Sequence, residues 1–232
     1  TPMKGYKAVV RTDNENVLGL VSDKYQLLPH KTVVEGFRNA LKGISYEEKI
    51  QVPAKGQNMF LTYKIEEQTL EIQKGDMVAL QFIARNSYDG YSSLQIALGA
   101  YRLVCSNGLV IGKQFFGFHM RHMGEIAKGI QLGPLIEKLA DQFRGTLPVL
   151  QSMSRKYIDR GSNELFDPKK VEMPRYLVAH AENNFRNGET VWDYYNAYTA
   201  AITHDMRKES PNAQLIYGQK AWNNALKLNK EL

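Results

Sequence analysis

The feature that most narrows the fold is a turn sequence, Asn86-Ser87-Tyr88-Asp89-Gly90, set between two long apolar runs, Met77 to Arg85 and Tyr91 to Val104. Asp-Gly supplies the backbone reversal, because glycine enters the left-handed region at no steric cost. The flanking runs are the longest strand candidates in the chain, so the segment predicts a long antiparallel hairpin.

Shorter strands precede it. Tyr6 to Thr12 and Val17 to Ser22 flank Asp13-Asn14-Glu15-Asn16 and predict a first hairpin. Lys31 to Lys42 carries Val33, Val34, Phe37, Ala40 and Leu41 at helical spacing between Pro29 and Gly43, which predicts a helix. Tyr46 to Val52, Met59 to Ile65 and Thr69 to Gln73 alternate apolar with polar residues and predict three strands. Phe115 to His122 has the same period and adds another.

After about residue 123 the period changes. Ile126, Ile130, Leu135, Leu139, Phe143, Leu147, Leu150 and Met153 recur at helical intervals through Ile158, with Pro134 and Pro148 expected to kink or divide the helix. Tyr176 to Phe185, Glu189 to Asp205 and Asn212 to Leu228 predict three more helices, the second capped by Thr190. The expected class is α+β. An antiparallel sheet is packed by one short and one long helix in a core domain over 1–160, followed by a helical C-terminal region over 161–232.

Composition sets the range of functions. With 232 residues, 43% hydrophobic and 23% charged, the chain has the material for an ordered core. No run reaches the ~18 apolar residues of a membrane span, and the N-terminus lacks a signal-peptide core. Thr1-Pro2-Met3 is unlike a natural start and suggests a trimmed chain. One cysteine, Cys105, forms no internal disulfide, in keeping with a reducing cytosol. The formal charge of +6 suits a polyanion. From 101 to 160 nine basic residues face four acids, an excess of +5, read either as a polyanion surface or as a solvated helix face.

Several of these segments together resemble a known group. Arg11-Thr12-Asp13, Leu18-Gly19-Leu20-Val21-Ser22 with Tyr25, Asn86 to Gly90, and Arg102-Leu103-Val104-Cys105-Ser106-Asn107 are similar, in order and spacing, to motifs of the phage/plasmid-like proteins of domain-of-unknown-function family 932. Trp192 to Thr199 is similar to that family's C-terminal helix. The resemblance implies a phage, prophage or plasmid origin and a cytoplasmic protein of a bacterial host that works near DNA. It implies no catalytic residue. The order of elements is also similar to that of single-strand annealing proteins, a likeness at the level of fold.

Residue chemistry points the same way. Binding a single strand needs cations along the phosphates and rings for base stacking, at ~1–3 kcal/mol per base. Arg85, Arg102, Lys113 and Arg121 are the expected phosphate contacts, with Tyr88 and Tyr91 as stacking platforms. Tyr101, Phe115, Phe116 and Phe118 are further rings; each ring serves either a groove or the core. His119 and His122 are read as structural or surface histidines in preference to metal ligands; three-residue spacing suits shared ligation on a helix but points imidazoles to opposite faces of a strand, and the expected strand ends near His122. Asp13, Asp76 and Asp89 are read as turn residues in preference to a magnesium cluster. Cys105 is read as a buried strand residue in preference to a nucleophile. Gly99, Gly108 and Gly112 have neither phosphate-loop nor dinucleotide spacing.

The expectation is therefore a non-enzymatic protein without cofactor or metal that binds single-stranded DNA, promotes annealing and forms a homo-oligomer. A scaffold or host-interaction role, with Trp192, Tyr194, Tyr195, Tyr198 and Trp222 forming an oligomer surface in place of core, is the second reading. A metal-dependent nuclease is the third.

Overall fold

The computed structural model describes residues 4–90, 92, 94–103, 107–110, 118–120, 122, 132–159, 165–206 and 211–232. Tyr91, Lys113, Arg121, Cys105, Phe115, Phe116 and the start of the expected long helix at Ile126 and Ile130 lie outside them. The class is α+β.

The strands form two sheets. β1 (Tyr6–Val10) and β2 (Val17–Ser22) pair antiparallel with a bulge at Val9/Val10. β3 (Glu47–Gln51), β4 (Asn58–Gln73), β5 (Asp76–Ser87), β6 (Leu94–Arg102) and β7 (Asn107–Val110) follow one another in the second sheet, and β8 (Phe118–Met120) also pairs with β6. β6 is shared between neighbours: Leu94–Ile96 meets β8, and Gly99–Arg102 meets β7.

β4 runs unbroken where two strands were expected. Glu66-Glu67-Gln68 interrupts the apolar alternation, but it includes no glycine or proline, and backbone pairing continues through it. Lys74-Gly75 closes the β4–β5 hairpin with Gly75 at φ +79°, and its N–H donates to the Glu71 carboxylate at 3.0 Å. β5 is buried at nearly every position, as a central strand covered on both sides is.

The helices are α1 (His30–Ala40), α2 (Gly133–Gly145), α3 (Leu147–Arg155), α4 (Arg175–Asn184), α5 (Val191–Ala200) and α6 (Pro211–Glu231). Pro148 sits in the first turn of α3 and divides α2 from α3 as expected. Pro134 stands in the first turn of α2. Thr190 caps α5 with a full capping box: its side chain accepts from the Asp193 N–H while the Asp193 carboxylate accepts from the Thr190 N–H. α5 leads into a π-helical turn at Ala201–Asp205, so Glu189 to Asp205 is not one regular helix.

Two compact units emerge, each assembled from three stretches. The first comprises Thr1–Ile65, Phe82–Ala97 and Phe116–Leu139; the second comprises Glu66–Gln81, Leu98–Phe115 and Ala140–Leu232. The boundary expected near 160 falls inside the second unit, and β4, β5 and β6 contribute residues to both.

In the first unit α1 buries Val33, Val34 and Phe37, with Phe37 stacked on Tyr63 of β4 at 4.7 Å between ring centres. Arg38 pairs bidentately with Glu48 of β3 at 3.0 and 2.6 Å and ties the helix to the sheet margin. In the second unit Trp192, Tyr194, Tyr195, Tyr198 and Trp222 are all buried, and Phe166 joins Tyr194, Tyr198 and Phe185 in one ring cluster. These aromatics are core.

Candidate functional site

The turn after β5 organises the first unit. Gly90 has φ +79°, the Asp89 carboxylate accepts from the Ser92 N–H at 2.9 Å, and the Ser87 hydroxyl accepts from the Asp89 N–H at 3.2 Å. β2 lies directly against it: a Cβ on Gly19 would stand 2.3 Å from the Tyr88 carbonyl oxygen. The Gln57 side-chain amide donates to the Leu18 carbonyl, and the Tyr88 N–H donates to the Gln57 carbonyl at 2.9 Å. The β1–β2 hairpin, the β3–β4 loop and the turn are thus stitched together.

Behind the turn lies a polar network. The Tyr88 ring stacks on His30 with centres 4.0 Å apart, and its hydroxyl accepts from the His30 N–H at 2.6 Å. Asn86 donates to the Leu28 carbonyl and to His30 Nδ1, each at 3.0 Å, which leaves the His30 proton on Nε2, 3.3 Å from the Gly56 carbonyl. His122 Nδ1 lies 2.6 Å from the Tyr25 hydroxyl, whose other neighbour is the Ser87 carbonyl at 3.3 Å.

Burial pushes the His30 imidazole down to about 4, with the His122 ring adding to the effect and the Gly56 hydrogen bond opposing it. Burial also lowers His122, against the pull of the Asp89 carboxylate, and raises the Tyr25 and Tyr88 hydroxyls. Near neutral pH His30 is uncharged, and its ring and backbone N–H hold Tyr88 in place.

In front of the turn is an open groove of about 550 Å³, lined by Val9 to Asp13, Leu18, Leu27, Val52, Pro53, Ala54, Gly56 and Tyr88. Arg11 reaches over it, pairing bidentately with Asp13 at 2.8 and 2.6 Å and donating to the Ala54 carbonyl at 3.4 Å.

The expected site residues divide between the units. Tyr88 lines the groove. Arg85 is half-buried in the same unit, donating to Asn58 at 3.1 Å, with its guanidinium 5.8 Å from the Phe60 ring centre. Arg102 belongs to the second unit, where it meets Asp76 bidentately at 2.6 Å on each arm. The Trp192 indole donates to the same carboxylate at 2.8 Å. Asp76 is therefore the acceptor of a buried ion pair and not a turn residue, a role set by partners 26 and 116 positions away. Asp13 and Asp89 keep their turn roles. Among the described residues no three His, Cys, Asp or Glu side chains gather as a metal site, and His119 has its side chain outside them.

Charge also divides unevenly. The first unit holds 14 basic and 9 acidic residues and the second 16 and 15, so +5 of the +6 charge falls on the unit with the groove. Its Lys24, Lys42, Lys49, Lys55 and Lys138 are exposed. Of these only Lys138 lies in the 101–160 window; Lys24, Lys42, Lys49 and Lys55 precede it in the chain and were left out of that reading.

The family described as Domain of unknown function (DUF932) matches residues 17–230. The chain belongs to that family. Two curated relatives, "UPF0380 protein YfjQ" and "UPF0380 protein YafZ" of Escherichia coli (strain K12), are each 40% identical to it over 50 residues. The match spans 22% of this chain and 18% of each relative's length. No solved structure matches. In this DUF932 member the family match takes in both the β5 turn and α5, so it covers segments of both compact units. Among the described residues no helix is long and apolar enough to cross a membrane.

Proposed function

We propose that this DUF932 member is a DNA-binding protein of a phage or plasmid that holds single-stranded DNA and promotes its annealing without nucleotide hydrolysis. The observation that carries the reading is the charge partition, +5 on the first unit against +1 on the second. A polyanion is drawn to the basic unit, and the exposed lysines there are free to follow a backbone whose phosphates shift with strand conformation. Arg85 lies in that unit on Asn58 and the Phe60 ring, and Arg102 in the second unit on Asp76, while Lys113, Arg121 and Tyr91 extend the assignment made from the sequence. The protein acts in the cytoplasm of a bacterial host and assembles as a homo-oligomer along the strand.

Four phosphate contacts give a salt slope of about −3 for a single strand, so affinity falls about 50-fold from 50 to 200 mM salt. Anisotropy titration of a labelled oligonucleotide measures this directly. No binding at micromolar protein in 50 mM salt, or binding indifferent to salt, overturns the proposal.

A further inference from the structure

The β1–β2 hairpin turns one face to the protein and one to solvent. Gly19 points inward at the Tyr88 carbonyl, and Val21, two positions on, is buried. Alternation therefore sends Leu20 and Ser22 outward, and the register sets Ala8 opposite Leu20 and Tyr6 opposite Ser22 on that same face. All four are exposed, Tyr6 at 56% and Leu20 at 62%. Among the described residues of the first unit Tyr6 is the one exposed aromatic ring. Tyr88, the ring expected to stack, is half-buried with one face on His30. Cations gather at the same end of the hairpin. The Asp23 N–H donates to the Gly5 carbonyl at 3.2 Å, and Lys7 Nζ donates to the Asp23 carbonyl at 3.1 Å. These bonds close the open end of the hairpin and set exposed Lys4, Lys7 and Lys24 about Tyr6, with Asp23 as the one acid in either strand or its flanks.

We infer that the outer face of this hairpin is a base-stacking surface for single-stranded nucleic acid, with a base on the Tyr6 ring and the adjoining phosphates on Lys4, Lys7 and Lys24. The inference rests on the proposed DNA binding and gives it a place, moving the stacking role from Tyr88 to Tyr6. An exposed ring takes any base, because every base has a π-face, and lysines around it meet the backbone on either side. Leu20 and Ala8 extend the apolar floor beside the ring. Charge and size select this occupant. A second copy would bring lysines against lysines, over an apolar floor far short of the roughly 800 Å² that each partner buries in a stable dimer. An anionic bilayer would meet the same lysines but gain little from inserting so few side chains.

The test is anisotropy titration of the full chain with labelled oligothymidylate and with an abasic strand of the same length and charge. Oligothymidylate should bind the more tightly. Tyr6→Thr keeps a strand-forming side chain but removes the ring. It should weaken oligothymidylate at least about fivefold, leave the abasic strand within about twofold and leave the salt slope unchanged. Tyr6→Phe should bind as the unaltered chain does. Lys4→Gln with Lys24→Gln should weaken both strands and make the slope shallower. Tyr157→Thr, which removes an exposed ring of the second unit, should change neither. All these side chains are exposed, and urea midpoints confirm that the variants fold. Tight oligothymidylate binding that Tyr6→Thr leaves unchanged overturns this inference and spares the DNA-binding reading. Equal binding of the two strands, or an equal loss on both with Tyr6→Thr, also overturns the stacking role. No binding of either strand overturns both. A concentration-dependent dimer, or binding to phosphatidylserine vesicles, that Tyr6→Thr abolishes while oligothymidylate binding persists assigns the face to a second copy or to a membrane.

Discussion

His30 and Arg102 are polar side chains drawn out of water, and the fold resolves the two cases differently. His30 gives up its charge. With its pKa at about 4 against an ordinary value near 6.5, the unfolded chain binds the proton more readily than the folded one between those values. Stability from this group is therefore complete above about pH 6.5 and is lost as pH falls towards 4. Urea midpoints over that range should show a loss on the order of 2 kcal/mol, reduced for the ring's partial exposure, that His30→Gln largely removes. Arg102 keeps its charge by meeting Asp76, which also accepts from Trp192. Asp76→Ala removes the carboxylate that neutralises the part-buried Arg102 guanidinium and accepts from the Trp192 indole, so urea denaturation should report a loss of about 3–5 kcal/mol. Neither role was legible in the sequence. Arg102 and Asp76 sit on different strands, and the position of Asp76 beside Gly75 favoured a turn residue.

At the scale of elements, what depends on neighbours in the chain was readable. The first hairpin, α1, the long hairpin around Asp89-Gly90 and the Thr190 cap all follow from signals within a few residues. What depends on distant neighbours was not: β4 keeps pairing through Glu66-Glu67-Gln68, and the short β7 was not anticipated. Gly19 shows the limit best. Its neighbours Leu18 and Leu20 mark a strand, but nothing local reveals that the Tyr88 carbonyl lies where its Cβ would be. Gly19→Ala must push the hairpin off the turn, because the obstacle is backbone and does not rotate away. A destabilisation of about 1–3 kcal/mol is expected by thermal or urea unfolding. Gly75, with nothing within 4 Å of its added Cβ but φ +79°, is the comparison. Gly75→Ala strains only its own turn, so Gly75→Asn, which tolerates that φ, should recover most of the loss, whereas Gly19→Asn should recover none.

At the scale of the molecule the same contrast governs electrostatics. A linear window placed the basic excess at 101–160, but the fold sends Arg102, Arg144 and Arg155 to a unit that is nearly neutral, and gathers lysines from distant segments into one at +5. Charge reversal separates a surface effect from a net-charge effect. Lys24→Glu, Lys49→Glu and Lys55→Glu together take the first unit from +5 to −1, and Lys74→Glu, Lys169→Glu and Lys230→Glu together take the second from +1 to −5. Both triples change the whole chain by the same amount, and all six side chains are exposed, so neither should cost much stability. At 0.15 M salt the screening length is about 8 Å, and only charges close to the bound strand are felt. Anisotropy titrations should therefore show at least 100-fold weaker oligonucleotide binding and a shallower salt slope for the first triple, and less than threefold change for the second. Equal losses would mean that the protein attracts DNA only through its total charge. A loss confined to the second triple would move the interface to the helical unit.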